Sequence, residues 1–85
     1  MKVKVVFFAA LREQLGTSAE ELELPAGVGT VGALKNYLME RGGAYGKAFG
    51  GKALIRIAVN QDMAQPTARI KAGDEIAFFP PVTGG

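Results

Sequence analysis

Cysteine, histidine and tryptophan are all missing from the 85 residues. A Ser-His-Asp triad, a Cys-His pair and the commonest zinc sites are therefore excluded, and no metal-binding residues are expected. Disulfide staples are excluded too, and a core of this size supplies only about 3–5 kcal/mol unaided. A stabilising partner is expected. Long apolar runs are also missing: none approaches the ~20 residues that a membrane-spanning helix needs, so no membrane association is expected. Met1 to Leu11 has a basic start and a short apolar stretch, but a secretory signal there would consume too much of the domain. It reads instead as a first strand. A chain without cysteine fits a cytoplasmic protein.

A cluster of basic charge is lacking as well. The sequence pI is ≈ 9.2, yet the formal net charge is only +2 and the ten basic residues are scattered between Lys2 and Lys71. No stripe exists to follow a phosphate backbone, so nucleic acid is not an expected partner.

The hydrophobic fraction of 48% is enough for a core, and the length allows one small domain. Alternation over residues 2–9 puts Val3, Val5 and Phe7 on one face and Lys2, Lys4, Val6 and Phe8 on the other. The lysines assign the second face to solvent, leaving Val6 and Phe8 as apolar groups on it. A helical turn around Leu11–Leu15 stops at Gly16. Glu21–Leu24 is a second strand ended by Pro25. Thr30 is the N-cap of the main helix, Val31 to about Arg41, with Val31, Leu34 and Leu38 on one face. Residues 42–51 carry five glycines and read as a mobile connection with room for one helical turn. Leu54–Val59, Asp62–Ala64 and Glu75–Phe79 complete a β, β, α, β, β, β order, an α+β arrangement of one helix on a mixed sheet.

Two nucleotide-binding patterns fail on context. Gly27-Val28-Gly29-Thr30-Val31-Gly32 spells G-x-G-x-x-G, but a dinucleotide site needs a βαβ unit and an acidic residue about 20 positions on, where Lys52 and Ala53 stand. Gly46-Lys47 lacks the first P-loop glycine, replaced by Arg41, and the Ser/Thr, replaced by Ala48. Glu20, Glu21, Glu23, Asp74 and Glu75 are the carboxylates available for acid–base chemistry. They lie in turns and surface strands, where solvation is their expected role.

The informative stretch is Phe78-Phe79-Pro80-Pro81-Val82-Thr83-Gly84-Gly85. Ile76 and Phe78 alternate with Ala77 and Phe79, so one phenylalanine leaves the core face. With Phe8 and Met63, Phe79 forms an exposed apolar patch that reads as an interface. Pro80 and Pro81 lack N–H donors and stop strand pairing. Residues 1–79 then form the domain and residues 80–85 a tail, whose six steps from Phe79 to Gly85 reach about 20 Å. A diglycine end is slim enough for a narrow channel, and its reactive group is the Gly85 carboxylate.

Val5-Val6-Phe7-Phe8-Ala9 with Leu11-Arg12-Glu13, then Val59-Asn60-Gln61, then Gly73-Asp74-Glu75 through Gly85, resemble the family of small sulfur-carrying subunits of molybdopterin synthase. The resemblance implies a ubiquitin-like β-grasp with a five-stranded sheet. It further implies that an E1-like partner uses ATP to adenylate Gly85, that a sulfur donor enzyme then supplies sulfur for a thiocarboxylate, and that the large synthase subunit receives the loaded tail. The sulfur would pass to a pyranopterin precursor during molybdenum cofactor biosynthesis, with no cofactor held by this chain. By position, the resemblance implies that Gly85 bears the sulfur, Gly84 gives slim access, Val82 and Thr83 line the partner's channel, and Phe8, Met63, Phe79, Pro80 and Pro81 face the partner. A thiamine-pathway sulfur carrier shares the tail chemistry, although such proteins are usually shorter and lack the Phe-Pro-Pro run. A protein modifier joined to lysine through Gly85 and a plain binding module are the other readings.

Overall fold

The structure, a computed structural model, describes residues 1–50 and 54–80. Among these residues five strands, β1 (Lys2–Phe7), β2 (Ala19–Glu23), β3 (Arg56–Val59), β4 (Asp62–Met63) and β5 (Glu75–Phe79), lie in the order β2-β1-β5-β3-β4. The first and last strands pair in parallel at the centre, and the other pairs are antiparallel. Among the described residues there are also three helices, α1 (Ala9–Leu15), α2 (Val31–Met39) and α3 (Gly43–Gly50). This is the mixed α+β sheet of a β-grasp, with α2 as its main helix.

The alternating residues of β1 explain the central position of that strand. Val3, Val5 and Phe7 are at most 1% exposed, beneath Val31, Leu34 and Leu38 of α2, each 0% exposed. The i, i+3, i+7 spacing on α2 sets those three side chains on one stripe. Thr30 Oγ1 accepts from the Ala33 N–H at 3.2 Å, as an N-cap should.

The next helix differs from the sequence expectation. Residues 43–50 form α3, a helix longer than the single turn expected within a connection, despite glycines at 43, 46 and 50. Burial outweighs propensity. Phe49 is 4% exposed and meets Phe78 edge-on at 5.2 Å between ring centroids, with Phe7 at 6.2 Å. A buried Phe is worth about 1.5–3 kcal/mol, against roughly 1 kcal/mol for one glycine inside a helix.

Turns are set by residues that accept left-handed backbone. Asn60 and Gln61 both have positive φ, 50° and 73°, giving the mirror-image turn that suits the twist of a tight hairpin between β3 and β4. The hairpin strands are shorter than expected: β3 begins at Arg56 rather than Leu54, and β4 ends at Met63. β2 begins earlier than expected, at Ala19.

The G-x-G-x-x-G stretch has a packing role. The first-turn N–H groups of Val31 and Gly32 donate to the carbonyls of Ala68 (3.0 Å) and Pro66 (2.8 Å). A Cβ on Gly32 would stand 3.1 Å from the Pro66 carbonyl oxygen, so glycine permits this close approach. The donors that a phosphate would need are committed within the chain.

Candidate functional site

One sheet face carries the helices, and the cross-strand register orders the other into rows. The ladder between β1 and β5 runs from Lys4 opposite Glu75 to Phe7 opposite Phe78, and the Phe8 N–H extends it by donating to the Phe78 carbonyl at 3.1 Å. Phe8 therefore stands beside Phe79, whose partner on β3 is Arg56. The next row inward reads Ala19, Val6, Ala77, Ala58 and Met63. Beyond it, Glu21, Lys4 and Glu75 align, then Glu23 and Lys2.

This open face is divided by chemistry. Its half nearest the C-terminal end of β5 is apolar apart from the exposed Arg56, with Phe8 (47%) and Met63 (61%) exposed and Val6 and Phe79 half-buried. The other half alternates in sign, with Lys2 Nζ 4.0 Å from Glu21 and the terminal amine 3.0 Å from Glu23. Such exposed pairs contribute at most about 1 kcal/mol each. The expected patch of Phe8, Met63 and Phe79 is thus on one surface, although Phe79 is more covered than the other two. Pro80 is half-buried at its edge. Pro81, Val82, Thr83, Gly84 and Gly85 lie outside the described residues.

Two carboxylates expected to be merely solvated are structural. Glu20 points to the helix side of β2 and accepts from Arg41 through both oxygens, at 2.9 and 2.8 Å, and from the Tyr45 hydroxyl at 3.2 Å. The Arg41 hydrogen bonds hold the Glu20 carboxyl below its ordinary range. Burial, followed by the Glu20 charge, raises the Tyr45 hydroxyl. Arg41 also stacks 5.0 Å from the centre of the Tyr45 ring, so this cluster fastens α3 to β2. The sequence holds a signal for it, because the alternation that buries Leu22 places Glu20 on the same face.

Asp74 is 5% exposed. Its oxygens accept from Asn60 Nδ2 at 3.0 Å and the Lys71 N–H at 2.8 Å, while Asn60 Oδ1 accepts from the Glu75 N–H at 3.0 Å. Burial is the largest single influence and pushes its carboxyl upward. The Asn60 and Lys71 hydrogen bonds with the Lys71 charge together outweigh it, leaving Asp74 below its ordinary value. Both acids are taken up by internal donors. Among the described residues, no group of three or more His, Cys, Asp or Glu could hold a metal ion.

What this face offers is an apolar patch that runs from Met63 through Phe8 and Phe79 to Pro80. The sequence matches the ThiS family over residues 5–85, a span that includes Val6, Phe8, Met63 and Phe79 of the open face and Gly84 and Gly85. The chain belongs to the ThiS family. Among proteins similar to this ThiS-family chain is the molybdopterin synthase sulfur carrier subunit of Haemophilus influenzae, 40% identical over 83 residues, covering 98% of this chain and 99% of that protein. The protein of the same description from Escherichia coli is 41% identical over 83 residues, with the same coverage. SAMP1 from Haloferax volcanii superposes with a TM-score of 0.79 at 29% identity, covering 100% of both chains. A ubiquitin from Caldiarchaeum subterraneum, 22% identical with a TM-score of 0.56 over 100% of this chain and 98% of its own, shares the ubiquitin-like fold. No helix among the described residues is long and apolar enough to cross a membrane.

Proposed function

We propose that this chain is the sulfur carrier of molybdopterin synthase, with Gly85 as the carrier group. The observation that carries the proposal is the full-length likeness to two sulfur carrier subunits at 40% and 41% identity. The physical properties of the chain support the same division of labour. A carboxylate is anionic and a poor electrophile, so its oxygen first needs a leaving group. An E1-like partner would supply one by joining Gly85 to AMP at the expense of ATP, releasing pyrophosphate. A hydrosulfide delivered by a donor enzyme would then attack the Gly85 carbonyl, form the C–S bond, release AMP and a proton, and leave a C-terminal thiocarboxylate.

In this reading residues 1–79 are the domain that docks, and residues 80–85 are the arm that reaches. The apolar half of the open face, with Phe8, Met63 and Phe79, would sit against the large synthase subunit while Val82, Thr83 and Gly84 pass along its channel. The Gly85 sulfur would bond to a pyranopterin precursor, water would cleave the resulting thioester to leave the sulfur on the precursor, and the regenerated carboxylate would return to the activating enzyme. Both partners approach the same tail, so they would bind in turn and compete. The cytoplasm, where ATP and reduced sulfur are available, is the compartment that suits this cycle.

The test is a change at the tail. Gly84→Leu and Gly85→Leu leave the domain untouched, so their thermal unfolding should match the parent while sulfur transfer is lost. Sulfur transfer retained by either variant contradicts the proposal. A second reading is favoured by the likeness to SAMP1, a small archaeal modifier protein: activated Gly85 would be attacked by a lysine amine to form an isopeptide. A lysine conjugate in the host, with no thiocarboxylate, would select it.

A further inference from the structure

Leu54 is 63% exposed and Met63 61% exposed, and both line a cavity of about 410 Å³ with Ile55, Ala64 and Pro66. That volume lies toward the small end of the range for ligand pockets, with room for a bulky side chain and its neighbour. Arg56 also lines it. None of the ion pairs among the described residues involves Arg56, and its partner across the sheet is Phe79, the last residue before the prolines. The cavity is thereby continuous with the apolar half of the open face.

Position gives Arg56 its consequence. A partner that covers Phe79 to take hold of the tail must also strip water from the neighbouring guanidinium. A desolvated cation without a counter-ion is costly, whereas a carboxylate matches the planar fork of Arg through two parallel hydrogen bonds. The apolar walls from Leu54 and Met63 add a demand for an apolar group beside that acid. We infer that this cavity is a socket for a short segment of the tail-receiving protein, carrying an apolar anchor side chain with a carboxylate next to it. The inference rests on the functional reading above and adds to it the side chains and the charge that select the partner.

The experiment measures binding of the purified large subunit of molybdopterin synthase to the full chain at several salt concentrations. Arg56→Ala should weaken affinity about tenfold and flatten the salt dependence of association, with Arg56→Glu weaker still. Arg56→Lys should recover only part of the loss, because ammonium lacks the planar fork. Leu54→Ser should also weaken binding, with salt dependence unchanged. Both positions are exposed, so unfolding temperatures should stay near the parent's, and Arg69→Ala, away from the socket, should bind normally. Undiminished affinity in both Arg56→Glu and Leu54→Ser overturns the socket and leaves the carrier function standing. A large subunit that fails to bind even the parent chain overturns the functional reading and the socket with it.

Discussion

Replacing Gly46 by Ala should stabilise this protein, and the size of the gain follows from where Gly46 sits. It lies inside α3, its N–H bonds the Gly42 carbonyl at 3.2 Å, and its φ is not among the positive ones. A Cβ there would meet the Met39 carbonyl oxygen at 3.5 Å, an ordinary contact. Nothing therefore offsets the gain of about 0.8–1 kcal/mol for Ala over Gly within a helix, part of which comes from restricting the unfolded chain. In a domain of this size, about 1 kcal/mol raises the melting temperature by roughly 4–8 °C. Gly43 supplies the contrast: its φ is +55°, so Gly43→Ala should cost about 1 kcal/mol although no atom lies within 4 Å of the new Cβ. Thermal and urea unfolding of both variants give the two signs. An unchanged or lower melting temperature for Gly46→Ala, together with a neutral Gly43→Ala, would refute a helical α3.

Other expectations concern charge and docking. Phe79→Ala should weaken binding to the large subunit by about 2 kcal/mol or more while lowering stability less, since Phe79 is half-buried; titration calorimetry and melting of the same sample separate the two. Glu20 and Asp74 both have lowered folded-state values, so their stabilisation is complete above the ordinary carboxylate range and fades as pH falls through the folded values. Glu20→Gln should flatten the acid limb of stability against pH; an unaltered slope would contradict the Arg41 pairing. Asp74→Asn should cost about 1–3 kcal/mol at neutral pH, because its amide nitrogen would face either the Asn60 amide or the Lys71 N–H, and urea titration reads the loss.

The parts of the fold that could be read from sequence are those where one periodicity dominates. Val3, Val5 and Phe7 at alternate positions, and Val31, Leu34 and Leu38 behind a Thr cap, leave little choice of face. Asn60 is a residue that tolerates left-handed backbone, so the turn there was legible too. The full extent of helix α3 was hidden because its evidence is tertiary: Phe49 and Tyr45 reward a helix only once Phe7, Phe78 and Glu20 are in place. Glu20 and Asp74 look like surface acids until their distant donors are known, 21 residues away for Arg41 and 14 for Asn60.

The apolar patch came from strand alternation alone, since Phe8 and Phe79 break the solvent-face pattern on neighbouring strands. Arg56 escaped notice because an isolated basic residue has no meaning in sequence. Its place opposite Phe79, beside Met63 and Leu54, is a product of the β5–β3–β4 register.

The central claim is that Gly85 carries sulfur, and intact-protein mass spectrometry of the chain isolated from its host measures this most directly. A carrier shows the mass gain of one oxygen exchanged for sulfur, localised to Gly85 by fragmentation and increased by incubation with ATP, the activating enzyme and the sulfur donor. An unmodified terminus throughout, or Gly85 found only in isopeptide linkage to lysine, would contradict it.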